Sequence, residues 1–485
     1  MEELNKPPSQ NTLTNTAATD PESNSRINNN EKDKAQNPWK LITSLDRGQR
    51  FTFAAAFLGW TLDAFDYFIV ILSVPYIAKE FQKEPSDITA SITITLCFRP
   101  LGAAIFGLLA DRYGRRYPLM IDIILYSGME LASGFAPNFT VFIVLRAIFG
   151  VAMGGEWGLG AALAMEILPP ESRGLFSGIL QQGYAVGYLL AAVLYYAVIE
   201  NIGWRAMFWI GSFPALLVIL LRFFVPESPA WKAQQNASKS TGKTWLHNTK
   251  LVLKHHWRRF IYCVLLMACF NFLSHGTQDL YPTFLKVQLG YTPAQVTILT
   301  VVANIGAIIG GSICGYSSQL FGRKLVIIAA AILAACFVPL YLLPRNFGLL
   351  ALGAFALYFG VQGAWGVVPA HLNELSPSEL RGTFPGLTYQ LGNLISSSSA
   401  QIEAKLGEKF RKNGNPDYGL VIAVLTLIVI FLLVVLTFFS REYKNVNFVE
   451  QAEQSDTNNE EDKVKEQAEE INEKGKVITK DVNIE

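Results

Sequence analysis

The chain has 485 residues and a formal net charge of +1; 51% of its residues are hydrophobic and only 16% are charged. The charges gather in the two ends and a few short loops, which excludes an ordinary soluble fold and points to an all-α polytopic membrane protein with no nucleic-acid partner. The five cysteines, Cys97, Cys263, Cys269, Cys314 and Cys336, are scattered over four apolar runs without ligand spacing and imply neither a metal site nor a disulfide framework.

Residues 1–44, rich in Asn, Ser, Thr and Pro, read as a disordered tail. Apolar runs of about 20 residues, the length that crosses roughly 30 Å of hydrocarbon, then recur near 51–77, 89–109, 118–136, 139–165, 174–199, 206–225, 260–285, 295–317, 324–343, 348–369, 384–405 and 418–439. The spacing predicts twelve transmembrane helices: a six-helix half over 45–225, a loop over 226–259, a second half over 260–440 and a charged, disordered tail over 441–485. Basic residues cluster at Arg112, Arg115 and Arg116, between Lys232 and Arg259, and at Arg323 and Lys324. By the positive-inside rule those loops and both termini face the cytosol. The tails are then candidates for binding regulatory proteins. The start lacks the pattern of a cleaved signal, so helix 1 is expected to direct insertion. The sequons at Asn138 and Asn236 are poor glycosylation sites, one in a short turn and one on the cytosolic side.

Ionisable groups inside such helices are costly and mark function by default. Helix 1 carries Asp63 and Asp66, which require cations or protons; helix 2 carries Arg99, and helix 4 carries Arg146 and Glu156. Either arginine can hold a substrate carboxylate bidentately, or both are consumed by Asp63, Asp66 and Glu156. Asp122 and Glu130 share a face of helix 3 and read as packing or loop-locking partners, while Gln182 in helix 5 is open between packing and binding. Helix 7 is the most informative: Asn271, Ser274, His275, Gln278 and Asp279 fall at i, i+3, i+4, i+7 and i+8. They share one face, and that face cannot point at lipid. His275 and Asp279, one turn apart, suit a site that loads and releases a proton, the plainer alternative being that they only satisfy each other in a helix contact. If the arginines pair internally, the substrate anion relies on protonated His275, Asn271 and Gln390. Pro282 is either a flexing point or an ordinary membrane-helix proline. His371 is assigned to the loop network at the end of helix 10.

The loop EILPPESRGLFSG from Glu166 and the loop ELSPSELRGTFPG from Glu374 share Glu166/Glu374, Glu171/Glu379, Arg173/Arg381, Gly174/Gly382 and Gly178/Gly386 at one offset of 208, as 374 less 166. The same offset carries Gly107, Gly114 and Arg115 onto Gly315, Gly322 and Arg323, and Trp157 onto Trp365. The chain is therefore a duplicated six-helix unit, the plan in which substrate binds at the midplane between two rocking halves. Asp63 and Asp66 map onto Asn271 and Ser274, and Gln182 onto Gln390. Arg99, Arg146 and Glu156 map onto alanines, so the intramembrane charge is not a requirement of the duplicated fold.

GLLADRYGRR from Gly107, its weaker copy GYSSQLFGRK from Gly315, and PESPAW from Pro226 resemble landmarks of the major facilitator superfamily. The resemblance covers roughly residues 45–440 and implies the major facilitator fold, with Asp111, Arg112, Arg115, Arg116, Glu166, Arg173, Glu374 and Arg381 as gate and loop parts. Gln319 replaces Asp111 in the second copy, so a charge lock is expected to be stronger in the N-terminal half. Asn271, Ser274, His275, Thr277, Gln278, Asp279 and Thr283 match the motif of fungal lactate permeases in the sialate:proton symporter family. That resemblance implies substrate handling and proton coupling by Asn271, His275 and Asp279. Gln390 and Asn393 are similar to the family's second recognition element. The implied function is proton symport of a small monocarboxylate at the plasma membrane, with no enzyme activity, cofactor or metal; its partners are the carboxylate, protons and the bilayer. Ser274, Gln278, Arg99 and Arg146 join the substrate-binding candidates, and Asp63 and Asp66 the proton-coupling ones. A carrier of dicarboxylic or sialic acid, and a carboxylate receptor that does not transport, are the alternatives.

Overall fold

The computed structural model describes residues 37–83, 85–199, 201–233, 235, 254–281, 284–412, 415–444 and 446–451. Pro282, Thr283, the Asn236 sequon and most of both tails lie outside them.

The helices are α1 (Pro38–Thr43), α2 (Arg47–Phe81), α3 (Pro85–Tyr113), α4 (Arg116–Ser133), α5 (Phe139–Met153), α6 (Glu156–Ile167), α7 (Arg173–Gln181), α8 (Gly183–Val198) and α9 (Trp204–Phe223) in the first half. The second half has α10 (Trp257–Gln278), α11 (Pro293–Phe321), α12 (Arg323–Leu342), α13 (Phe347–Leu375), α14 (Phe384–Ser396), α15 (Ser399–Lys409) and α16 (Tyr418–Phe438). Their starts are written in the sequence. Asp46 and Gln49 form a reciprocal capping box on α2, Thr292 and Gln295 do the same on α11, and Asn138, in the first sequon, caps α5 through Val141 N at 2.9 Å. Ten stretches among the described residues are long and apolar enough to cross a membrane, with α5–α6 and α7–α8 counting as one crossing each. The other two crossings are α4, which carries Arg116, Asp122 and Glu130, and α14–α15, which is broken near Ser397. Ile121, Val193, Phe213, Leu216, Ile428 and Phe431 are each more than half exposed, a band that water would not tolerate but acyl chains would.

Three differences from the sequence expectations have local causes. Helix 7 was expected to reach residue 285, but α10 ends at Gln278 and a π-helical turn follows at Phe284–Gln288. Pro282 between them has no N–H for a continuous ladder. The chain is not purely helical either: Arg411 and Lys412 pair with Pro416 and Asn415 in a two-residue ribbon between α15 and α16. The structured part reaches further at both ends than composition suggests. Leu41 at the start and Phe448 near the end are 4% and 1% exposed, because both carry apolar side chains into the molecule. Phe448 joins a cluster with Leu45, Phe176 and Ala370, so both described ends lie at one end of the bundle.

Each half has its own core, one around Phe65, Phe142, Phe149 and Phe208, the other around Phe270, Tyr341 and Leu357. Where the halves meet, the backbones are close. Gly158 and Gly386 touch, as do Gly178 and Gly315, and a methyl group on Gly158, Gly178 or Gly315 would overlap the facing backbone.

Candidate functional site

A small cavity of about 40 Å3 lies between the halves, lined from α2 by Trp60, Asp63 and Tyr67, from α3 by Arg99, and from α10 by Asn271, Ser274 and His275. Gln181, Tyr184, Gln362, Trp365, Tyr389 and Asn393 complete its polar and aromatic wall. The repeat offset relates Asp63 to Asn271, Tyr67 to His275 and Gln181 to Tyr389, so equivalent faces of the two halves look at each other. Trp157 lies behind this wall, its ring tilted against Tyr389 at 4.4 Å between ring centres and its indole donating to Gln181 Oε1 at 3.3 Å.

The His275–Asp279 pair, a candidate from the sequence, is assembled and tied to a third residue. His275 Nδ1 lies 3.1 Å from Asp279 Oδ2, and His275 Nε2 lies 3.2 Å from Asn393 Oδ1 on α14. A doubly protonated ring would donate to both partners, whereas a neutral ring donates through one nitrogen and accepts through the other. Asp279 is 40% exposed at the side chain and His275 19%, which gives the pair a route to water. Asn271 is turned partly inward, donating to Met267 O at 2.9 Å, while its face still lines the cavity.

Arg99 is the one arginine or lysine among the described residues that lines the cavity. Asp63 holds it only loosely, at 3.8 Å, and its guanidinium stands 5.7 Å from the centre of the Tyr67 ring. Its Nε has no protein partner. Gly154, at the break between α5 and α6, lets the Arg99 backbone approach so closely that a Cβ there would collide with it.

Several candidates lie elsewhere. Arg146 does not reach the cavity: it pairs with Glu130 at 2.7 Å, donates to Ser133 Oγ and sits over the Phe149 ring at 4.1 Å. Glu156 pairs with neither Arg99 nor Arg146 but with Arg222 of α9, at 2.9 Å. Asp66 is buried against α9 near Gly211 rather than in the cavity wall. Gln390 is 1% exposed and absent from the wall, and Gln182 packs on Gly311, so these two do not face each other across the cavity. Gln278 is half-buried outside the wall as well. The neighbour Gln181 and the aromatic residues were missed by sequence reasoning, although Trp60, Asp63 and Tyr67 at i, i+3 and i+7 would have marked one face of helix 1.

The end of the bundle that carries the termini is closed. Asp111 pairs with Arg115 at 3.1 Å and reaches across to the other half, accepting from Gly382 N, Thr383 N and Thr383 Oγ1 at 2.8, 3.0 and 2.6 Å. A carboxylate thus caps the start of α14, where the helix dipole favours it. The repeat copy is weaker: Gln319 accepts from Gly174 N at 3.1 Å and from Arg323 at 2.9 Å. Arg115 and Arg323 hold Glu166 and Glu374, at 3.1 and 2.9 Å. Gly114 and Gly322 turn beside them at φ of +96° and +95°, a conformation open to glycine. Arg112 carries its guanidinium over the Tyr113 ring at 5.0 Å, whereas Arg116 donates to Phe223 O at 2.6 Å. Arg173 and Arg381, from the two matching loops, cover the Phe448 ring at 3.7 and 4.0 Å. His371, assigned from sequence to the ion network there, has no hydrogen bond on either ring nitrogen.

The Major Facilitator Superfamily model matches residues 56–400, with a second match over 280–479. A carboxylic acid transporter protein homolog of Saccharomyces cerevisiae is 32% identical over 80% of this chain and 68% of its own length. The sialic acid transporter NanX of Escherichia coli is 30% identical over 71% of this chain and 84% of its own. Among solved structures, the proton:xylose symporter XylE superposes with a TM-score of 0.66 at 20% identity, covering 83% of this chain and 98% of that one. With matched family, matched fold and a cavity enclosed by two repeated halves, the chain belongs to the Major Facilitator Superfamily and is a multi-pass membrane transporter, not an enzyme.

Proposed function

We propose that this transporter is a proton-coupled symporter that carries a small monocarboxylate of the lactate or pyruvate type into the cell across the plasma membrane, with both termini in the cytosol. The observation that carries the reading is one cavity shared by Arg99 from the first half and the Asp279–His275–Asn393 chain from the second. Arg99, loosely held by Asp63, has donors to offer a carboxylate. His275 carries the proton, and Asn271, Ser274 and Asn393 meet the remaining polar atoms of the substrate. An anion entering a cell that is negative inside works against about 2.3 kcal/mol per charge per 100 mV, and one accompanying proton removes that opposition. Transport proceeds as the closed end opens and the other end closes about the loaded site.

The name of the yeast relative supports carboxylic acids as the substrate class. A dicarboxylic or larger acid is the second reading, favoured by the similarity to NanX and to the cis,cis-muconate transport protein of Acinetobacter baylyi, 29% identical over 71% of this chain. Labelled lactate uptake into cells lacking other carriers, with an imposed pH step and a panel of unlabelled acids, tests both. Uptake driven by external acid and blocked by short monocarboxylates supports the first reading. Blockade by muconate or sialic acid alone sinks it.

A further inference from the structure

Glu403 on α15 is fully buried, and neither of its carboxylate oxygens has a hydrogen-bond partner. No lysine or arginine among the described residues forms an ion pair with it, unlike Glu130, Glu156, Glu166 and Glu374, each held by an arginine. It occupies space left by a glycine. A Cβ on Gly276 of α10 would stand 3.1 Å from Glu403 Oε1, so the carboxylate packs closely against the residue that follows His275. An ionised carboxylate is too costly in such surroundings without a cation or donors, so in this state the group carries a proton.

The position on α10 gives that proton a route. Gly276 is about 100° around the helix from His275, so Glu403 lies behind the cavity wall rather than in it. Asp279 is one turn from both, at i+4 from His275 and i+3 from Gly276, and is the exposed member of the three. The surrounding elements supply few other ionisable groups: His275 on α10 and Asp279 at its C-cap, Tyr341 on α12, Tyr358 on α13 and Tyr418 on α16. Tyr341 donates to Thr277 O at 2.7 Å and stacks on Tyr281, whose own hydroxyl is unpartnered, as is Thr426 Oγ1 of α16. Glu403, Tyr281 and Thr426 thus each hold a buried polar atom without a partner, and Asp279 is the exposed acid one turn from Gly276.

Building on the proton-symport reading above, we propose that Glu403 is a second proton-carrying residue of the transport cycle, filled through Asp279 in parallel with His275. Its carboxylic acid gives one proton to water when α10 shifts against α15, and its carboxylate takes one up again from the opposite side through Asp279. With one proton on His275 and one on Glu403, each monocarboxylate anion enters with one net positive charge.

The test is substrate-evoked current together with labelled uptake in cells expressing the full chain, comparing wild type, Glu403→Gln and Glu403→Asp. Wild type is expected to give an inward current with about two protons per substrate. Glu403→Gln should keep acid-driven uptake but lose the current, as the ratio falls to one. Glu403→Asp, still ionisable, should retain it. A Glu403→Gln current equal to wild type at equal surface level overturns the proposal, as does acid-driven wild-type uptake without current; both leave the symport reading standing. Disappearance of both variants from the membrane assigns Glu403 to packing and overturns it as well. Wild-type uptake indifferent to external pH defeats the symport reading and this proposal together.

Discussion

Arg99 and Arg146 show how neighbours decide what a buried arginine can do. Arg146 is spent: Glu130, Ser133 and the Phe149 ring take its donors and its face. Arg99 has an acid at 3.8 Å and an unpartnered Nε on a cavity wall. Arg99→Gln should therefore abolish anion uptake while the protein still reaches the membrane, and adding Asp63→Asn should not restore it. Arg146→Gln should instead lower surface level, since an unpaired buried Glu130 costs about 3–5 kcal/mol, and Glu130→Gln should recover both level and transport. Uptake and surface labelling of the four variants distinguish the roles; recovery of the Arg99 variant by Asp63→Asn would show a purely structural arginine. The histidine pair makes a separate prediction. His275→Ala and Asp279→Asn should lose accumulation against a gradient but keep exchange of labelled for unlabelled substrate, because the proposed task is proton carriage. Loss of exchange to the same degree would place both in substrate binding.

At the scale of elements, α10 and α14 act as one unit because His275 Nε2 meets Asn393 Oδ1. Asn393→Ala removes that bond and a cavity-wall amide; a neutral hydrogen bond is worth about 0.5–1.5 kcal/mol net, so apparent Km should rise roughly twofold to tenfold. Unchanged Km with a shifted pH profile would mean that Asn393 positions the imidazole and does not touch substrate. The helix-7 stripe and the repeated loops were legible because hydrophobic length, helical spacing and a fixed offset are properties of the linear chain. Membership of the cavity wall was not. Whether Gln181 or Gln182 faces inward depends on where span 5 breaks, and that break sits at Gln182 itself, between α7 and α8. Likewise Glu156 could be assigned to Arg222 only once α6 and α9 were seen to meet, 66 residues apart in sequence. Glu403 lies within the predicted run 384–405, but a single acid near the end of a span carries no spacing signal, and its lack of partners is visible only in three dimensions.

For the whole molecule, the duplicated design poses a balance between two gates, and its asymmetry predicts which one dominates. The closed end is held by two equivalent contacts between halves, the carboxylate of Asp111 on the start of α14 and the amide of Gln319 on the start of α7. Hydrogen bonds to a charged acceptor are worth about 1.5–3 kcal/mol, roughly twice a neutral one, and every 1.4 kcal/mol is a tenfold change in an equilibrium. Asp111→Asn should consequently raise the population open at the terminus-bearing end by about tenfold, whereas Gln319→Ala should raise it less. Gln319→Asp, which places a carboxylate at the equivalent position, should close that end further. Ala370 reports on this surface, since it is fully buried and its N–H donates to Ser177 Oγ of the other half at 3.0 Å. A cysteine at Ala370, in a chain with the five native cysteines replaced, should react with a membrane-impermeant thiol reagent applied to that side faster in Asp111→Asn and more slowly in Gln319→Asp. Transport should fall in both, because a carrier that favours either end too strongly spends less time crossing. Equal reactivity in all three variants would mean that the glycine contacts and the Arg–Glu pairs, rather than Asp111, keep the end shut.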